Sequence, residues 1–152
     1  MRVAAAGIRL LRDSGEGIPT LVLTFALFHD SMRLHDGGDS QHGVRAAAFL
    51  RSVPQELIRI PADGMDVVTS ALEQHSGAKT SSEPSTAICW DADRVNLWRL
   101  GIEPHPQYLS TRSALEIRLG WAKALQDQEF TWNELHCEFQ EEEIGRRARV
   151  SL

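Results

Sequence analysis

Histidine and aspartate residues concentrate where an apolar segment gives way to a polar loop, in the stretch ALFHDSMRLHDGGDSQHG. His29 and Asp30 are adjacent there, and His42 follows at the end of the loop. His75 and Asp93 lie in later segments of similar helical pattern. Three imidazoles and two carboxylates suit manganese, iron, cobalt, nickel or zinc better than magnesium alone. These residue types therefore indicate a site for a divalent transition metal.

Each of these residues also has a simpler explanation. His42 could be the first residue of an exposed helix, and His75 could be a cation that complements a helix dipole. Asp91 and Asp93 could form a solvated face paired with Arg94. Composition and periodicity alone leave both interpretations open.

Helices must position these side chains if they are to meet. The segment from Val3 to Leu11 predicts a first helix, ended by the turn signal at 13–17. Thr20 to Phe28 predicts a second helix that is apolar on nearly all sides and so belongs in the core. Further helices are predicted from His42 to Val53, from about Ala62 to His75, from Thr86 to Leu100 and from Ser113 to Leu125.

The connecting segments follow from turn chemistry. The loop from Ser31 to Gln41 contains Gly37 and Gly38 as its hinge, and Asp39 or Ser40 is the expected cap of the next helix. His35 is expected to be an ordinary loop residue. Residues 126–152 form a charged tail or an extra helix, and no repeat or strand-rich region appears. The predicted class is all-α, with about six helices.

Bulk properties narrow the function. A chain of 152 residues, 42% apolar and 24% charged, is expected to form a single globular domain. The net charge of −5 argues against nucleic acid or an anionic membrane as partner. The longest apolar stretch, 18–28, is too short to span a bilayer, and no signal peptide is apparent. Cys89 and Cys137 lack a disulfide or CxxC spacing, which favours the cytoplasm.

The order of the motifs resembles that of the HD-domain superfamily of metal-dependent phosphohydrolases. The resemblance covers about residues 1–118 and rests on His-Asp, His-Gly, His-Ser and Asp-Ala-Asp-Arg, in the phrases LFHDSMR, DGGDSQHGVRAAAFL, VVTSALEQHSG and CWDADRVNLWRLGI. It implies a compact helical bundle, one or two divalent ions, and hydrolysis of a phosphate ester or anhydride. The implied partner is a small phosphorylated substrate, most often a nucleotide, although the superfamily also contains di-iron oxygenases.

The resemblance also assigns residues to roles. His29, Asp30 and Asp93 correspond to metal ligands, His42 and His75 to the additional ligands of two-metal members. Asp30 would bridge two ions and contribute to catalysis. Behind these ligands, Asp91 and Arg94 would support the site.

Phosphate binding requires cations, and four of them lie beside the motifs. Arg33 and Lys79 are candidates for holding phosphate, and Arg94 is a third. Arg45, one turn after His42, is the favoured catalytic cation. For each of them, a surface ion pair is the competing explanation.

One departure from the family pattern leaves alternatives open. The family's first ligand is a histidine on the first helix, whereas MRVAAAGIRLL resembles the middle of that helix and no histidine precedes His29. Either the start is shortened or the ligand is lost. The alternatives are therefore a degenerate HD domain that binds metal or nucleotide without turnover, or a helical interaction protein. Trp98, Trp121 and Trp132 fit a core or an oligomer interface equally well.

Overall fold

The computed structural model describes residues 1–35, 38–61 and 63–150, and within these ranges it contains helices and no strand. The all-α class is therefore confirmed, with eight α-helices in the described chain instead of about six. They are α1 (Arg2–Ser14), α2 (Pro19–Phe28), α3 (His42–Ser52), α4 (Gly64–Gln74), α5 (Pro84–Val95), α6 (Arg112–Ile117), α7 (Trp121–Ala124) and α8 (Trp132–Val150).

Helix α2 occupies the centre of the fold, as its apolar surface predicts. Pro19 opens it, because a proline nitrogen needs no partner in the first turn. Leu21, Val22 and Phe25 are almost fully buried, and α2 packs against α1, α4, α5 and α8. The contact with α1 is close: a Cβ at Gly7 would lie 2.6 Å from Cγ1 of Val22. The end of α2, where His29 follows, is thereby held inside the protein.

Helices α3 and α4 pack side by side and are even closer at one point. A Cβ at Gly43 would overlap the carbonyl oxygen of Leu72 and would lie 3.1 Å from Cε1 of His75. Glycine is required here because the two helix backbones leave no room for a side chain. Gly43 therefore brings the start of α3 against the end of α4.

The predicted helix from Ser113 to Leu125 is wrong as a single element. It is divided into α6 and α7 by a turn at Gly120, whose backbone is not helical (φ −94°, ψ −84°). Glycine has a low helix propensity, which favours a break at Gly120. The indole Nε1 of Trp98 donates a 2.7 Å hydrogen bond to the carbonyl oxygen of Arg118, at the end of α6. The extra helix at the C-terminal side is α8, the second reason that the helix number exceeds the prediction.

Other boundaries differ in detail. Helix α5 begins at Pro84, where the Glu83 carboxylate accepts from the backbone N–H groups of Ser85 and Thr86, and after Val95 it continues as a 3₁₀ helix, Asn96–Leu100. Gln41, and neither Asp39 nor Ser40, is the residue that precedes α3. The expected hinge residue Gly37 and the expected helix start Ala62 lie outside the described residues.

The tryptophans do not share one environment. Trp98 is partly buried against the core, like Trp121, whereas Trp132 is 42% exposed. Cys89 is buried and Cys137 is exposed, and both are free thiols. None of the helices in the described part of the chain is long and apolar enough to cross a membrane.

Candidate metal centre

Three buried imidazole rings meet where α2, α3 and α4 come together. His29 directly follows α2, His42 is the first residue of α3, and His75 directly follows α4. The Nε2 atoms of His42 and His75 are 2.8 Å apart, and Oδ1 of Asp30 lies 3.4 Å from Nε2 of His42. Ligand atoms of Asp30, His42 and His75 all lie within 4.8 Å of one another. Among the described residues, these three form the group that could hold a metal ion.

All three rings are held in the same way. Each ring has its Nδ1 atom within hydrogen-bond distance of the carbonyl oxygen three residues earlier, at Ala26, Asp39 and Leu72 respectively. Because a carbonyl oxygen only accepts, Nδ1 must carry the hydrogen, and in a neutral ring the lone pair then lies on Nε2. A histidine that binds a metal through one nitrogen and donates from the other has this arrangement. The backbone thus fixes the orientation of all three rings and leaves Nε2 as the nitrogen available for other partners.

Phe25 fixes two of these rings, and sequence reasoning missed it. Its ring is stacked on His29 at 5.4 Å between centroids and meets the edge of His75 at 5.7 Å. Phe25 is fully buried and lies four residues before His29, so both face the same side of the helical turn. This spacing is the signal in the sequence that could have identified it.

His29 and Asp93 lie on the other side of Asp30. Nε2 of His29 is 3.6 Å from Oδ2 of Asp30 and 3.8 Å from Oδ1 of Asp93. Asp30 thus presents Oδ1 to His42 and Oδ2 to His29. The residues predicted as ligands are therefore neighbours in space, arranged around the Asp30 carboxylate.

Two further side chains contact the cluster. The Arg33 guanidinium donates to Oδ1 of Asp30 from Nε at 3.0 Å, and its Nη2 is 3.1 Å from Nε2 of His42. Oγ of Ser76 is 3.3 Å from Nε2 of both His42 and His75. Arg33, predicted to bind phosphate, is thus in direct contact with two possible metal ligands, and Ser76 was not predicted at all.

Local electrostatics favour the protonation states that bind a cation. Burial raises the pKa of Asp30, but His29, Arg33 and His42 outweigh it, and the pKa lies below its usual value. Burial lowers the pKa of His75 below that of an ordinary histidine, against the opposing effects of the Leu72 carbonyl and Asp93. At neutral pH Asp30 is therefore ionised and His75 is uncharged.

Arg45 and Lys79 have positions away from these contacts. The Arg45 guanidinium donates to the Asp39 carboxylate and to the carbonyl oxygen of Met32, and so holds the loop between α2 and α3. Lys79 is exposed, and its carbonyl oxygen accepts from Arg94. The catalytic role of Arg45 and the phosphate-binding role of Lys79 stay predictions.

Asp91 and Arg94, both on α5, bind the backbone of neighbouring segments. Asp91 is fully buried and accepts hydrogen bonds from the backbone of Ser110 and Thr111 and from the Thr111 hydroxyl. The Arg94 guanidinium donates to the carbonyl oxygens of four residues: His75, Ala78, Lys79 and Tyr108. Arg94 therefore fixes the chain directly after His75. The supporting roles of Asp91 and Arg94 behind metal ligands stay predictions.

A cavity of about 620 Å³ opens beside His29 and Asp30. Its wall includes residues that sequence reasoning did not single out, from three parts of the chain: residues 1–3, Asn96 and Arg99 after α5, and 128–130 before α8. Asn96 and Arg99 follow Asp93 at intervals of three residues, a spacing visible in the sequence. The cavity gives small molecules access to one side of the cluster.

No protein-family profile, curated protein or solved structure matches this chain. What the fold and the site define is an all-α protein with an aspartate–histidine cluster able to hold a metal ion.

Proposed function

We propose that this protein is a metal-dependent hydrolase of a phosphate ester or anhydride, with a nucleotide as the favoured substrate. The observation that carries the proposal is the convergence of Asp30, His42 and His75, with both imidazoles held for ligation through Nε2. The motif resemblance to the HD-domain superfamily supports the same function.

The donor set fits a divalent transition metal. Asp30, His42 and His75 would hold it, and His29 and Asp93 would complete the set or, together with Asp30, hold a second ion. Mixed imidazole and carboxylate ligands suit manganese, iron, cobalt, nickel or zinc. Such an ion supplies Lewis acidity and makes water nucleophilic at neutral pH.

The protein's own residues would do the remaining work. Phe25 covers the rings of His29 and His75 from the core side and keeps water away from that face. His29 lies between Asp30 and Asp93 and also lines the cavity, so it would hold the ion on the side from which a substrate enters. The Arg33 guanidinium lies beside the same carboxylate and can neutralise charge on a phosphoryl group.

The test is phosphate release by protein that has been stripped with a chelator and reloaded with Mn²⁺, Co²⁺ or Ni²⁺. Nucleoside mono-, di- and triphosphates and sugar phosphates form the substrate panel. We expect release that depends on metal and is lost in Asp30→Asn and His75→Ala, whereas His136→Ala, an exposed histidine on α8, stays active. Stoichiometric metal binding without release from any substrate would refute the hydrolase proposal.

A second candidate is a module that binds metal or nucleotide without turnover. The observation in its favour is Arg33, whose guanidinium already donates to Asp30 and lies against Nε2 of His42. Calorimetry with nucleotide and Mn²⁺ distinguishes the candidates, because the module would bind nucleotide in a metal-dependent manner and release no phosphate.

A further inference from the structure

We propose that the 620 Å³ cavity is a binding site for a phosphorylated compound that carries an aromatic ring, with Arg99 binding the phosphate and Phe130 contacting the ring. This inference rests on the proposed function for its substrate class, and assigns to it residues that no motif indicates. A cavity of this size lies within the usual range for small-molecule sites.

The first step is the position of the cavity. His29 and Asp30 form part of its wall, so a ligand inside it reaches the open side of the cluster directly. Arg33, Arg45 and Lys79 do not belong to that wall. A cation that binds a phosphate inside the cavity must therefore come from another part of the chain, and Arg33 remains beside Asp30 for the phosphoryl group that reaches the cluster.

Arg99 is placed for this role by the helical geometry after Asp93. The backbone changes from α5 to a 3₁₀ helix at Asn96–Leu100, and in a 3₁₀ helix residues three apart lie on the same side. Asn96 and Arg99 consequently both face the cavity, in line behind Asp93. The segment is fixed from the other side, since Trp98 donates to the Arg118 carbonyl and lies against Lys123.

The wall contains two arginines, Arg2 and Arg99, together with the carboxylate residues Asp30 and Glu129. Arg2 also lines the cavity, but its guanidinium donates to the carbonyl oxygen of Gln126. Arg99 is exposed, and no carboxylate forms an ion pair with it within the described chain. A guanidinium binds phosphate by two parallel hydrogen bonds, so Arg99 supplies the geometry as well as the charge.

Phe130 and Asn96 provide for the organic part of the ligand. Phe130 is partly buried, so it is held against the core while lining the cavity. A planar base can stack on such a ring without a sequence-specific contact. Asn96 is buried at the same wall, and its amide can both donate to and accept from a polar ring edge.

The experiment separates the two halves of the ligand. Binding of AMP, ribose 5-phosphate and adenosine is measured by calorimetry for metal-free and Mn²⁺-loaded protein. In Arg99→Gln we expect AMP and ribose 5-phosphate to bind about tenfold more weakly or worse, with adenosine unchanged. In Phe130→Leu, which keeps an apolar side chain, AMP and adenosine should weaken and ribose 5-phosphate should not.

Arg59→Gln is the matched control, because Arg59 is exposed and does not line the cavity. It should bind all three probes like the unaltered protein, and metal content should be equal in all variants. The proposal is overturned if AMP binds neither form, or if Arg99→Gln leaves the affinity for AMP and ribose 5-phosphate unchanged. Failure of the proposed function has a different outcome: AMP binds and responds to Arg99→Gln, but no phosphate is released.

Discussion

The two sides of Asp30 differ in how tightly the chain constrains them. On the compact side, His42 and His75 are 3% and 5% exposed, and their Nε2 atoms are 2.8 Å apart. On the open side, Nε2 of His29 lies 3.6 Å from Oδ2 of Asp30 and 3.8 Å from Oδ1 of Asp93, and the Asp93 side chain is 26% exposed. The compact side thus offers preformed ligand positions, whereas the open side borders the cavity.

The difference arises from the helices that carry each side. The compact side depends on the packing of α3 against α4 at Gly43, where backbone meets backbone. The open side joins the end of α2 to the last turn of α5, which pack less extensively than α3 and α4, and the His29 and Asp93 side chains meet there. We infer that the compact side dominates metal affinity, while the open side serves access and chemistry.

Gly43→Ala should have the largest effect, because it disrupts the packing of α3 against α4 on the compact side. The new methyl group would overlap the Leu72 carbonyl and press on the His75 ring, so α3 and α4 must separate. Overpacking of this kind costs about 1–3 kcal/mol in the free energy of unfolding. We expect a lower midpoint in urea and loss of Mn²⁺ binding, measured by equilibrium dialysis.

Gly77→Ala is the control for this change. A Cβ at Gly77 meets no atom within 4 Å, although the residue is two positions from His75. It should change the free energy of unfolding by less than about 0.5 kcal/mol. If Gly43→Ala binds Mn²⁺ like the unaltered protein, the close contact does not set the compact side.

Removing one ligand from each side should separate their contributions. His75→Ala should weaken Mn²⁺ binding by more than about 100-fold, because even outer partners of metal ligands contribute 10–100-fold. Asp93→Asn should weaken it by only about tenfold, yet abolish phosphate release. Metal titration and phosphate assays on both variants check this order, and equal losses of affinity would contradict the distinction between the sides.

Arg33→Gln should change the Mn²⁺ affinity in the opposite direction. Its guanidinium donates a hydrogen bond to Oδ1 of Asp30 and lies close to Nε2 of His42. A metal ion would bind to the lone pairs of the same two atoms. Removing the competing cation should raise Mn²⁺ affinity, by about tenfold if one charged hydrogen bond is released. Arg59→Gln carries the same charge change away from the cluster and should leave the affinity unaltered. Weaker binding in Arg33→Gln would mean that the arginine supports the site.

The sequence was sufficient for the features that depend on local pattern. The apolar surface of α2 predicted its central position, and the four main segments that carry His29, His42, His75 and Asp93 were placed to within a few residues. Their meeting around Asp30 was expected from the resemblance to the HD-domain superfamily, since composition and periodicity left it open. Metal binding and hydrolysis stay predictions, because no matching protein tests them.

Features that depend on contacts distant in sequence were missed. The hydrogen bond from Trp98 to the Arg118 carbonyl, beside the break between α6 and α7, is a contact that no local pattern shows. The partners of Arg45 were unforeseen because Asp39 and Met32 are brought to it by the loop. The cavity residue Arg99 was missed for the same reason, since its partner in forming the wall, Phe130, lies in another segment.

Asp39, in the loop that joins the two sides, should have the smallest effect on the free energy of unfolding, and that effect should depend on pH. The backbone N–H of Leu34, then the Arg45 guanidinium, lower the pKa of Asp39 to about 2. The ordinary value in an unfolded chain is about 3.9, so the folded state binds this proton more weakly. Asp39 therefore stabilises the fold fully above about pH 3.9, and this contribution is lost as the pH falls towards about 2.

Urea unfolding between pH 7 and pH 2 measures this contribution. The difference in the free energy of unfolding between the unaltered protein and Asp39→Asn should shrink below about pH 4. Asp127→Asn is the control for the change in net charge. A difference that stays constant to pH 2 would show that the carboxylate charge does not hold the loop.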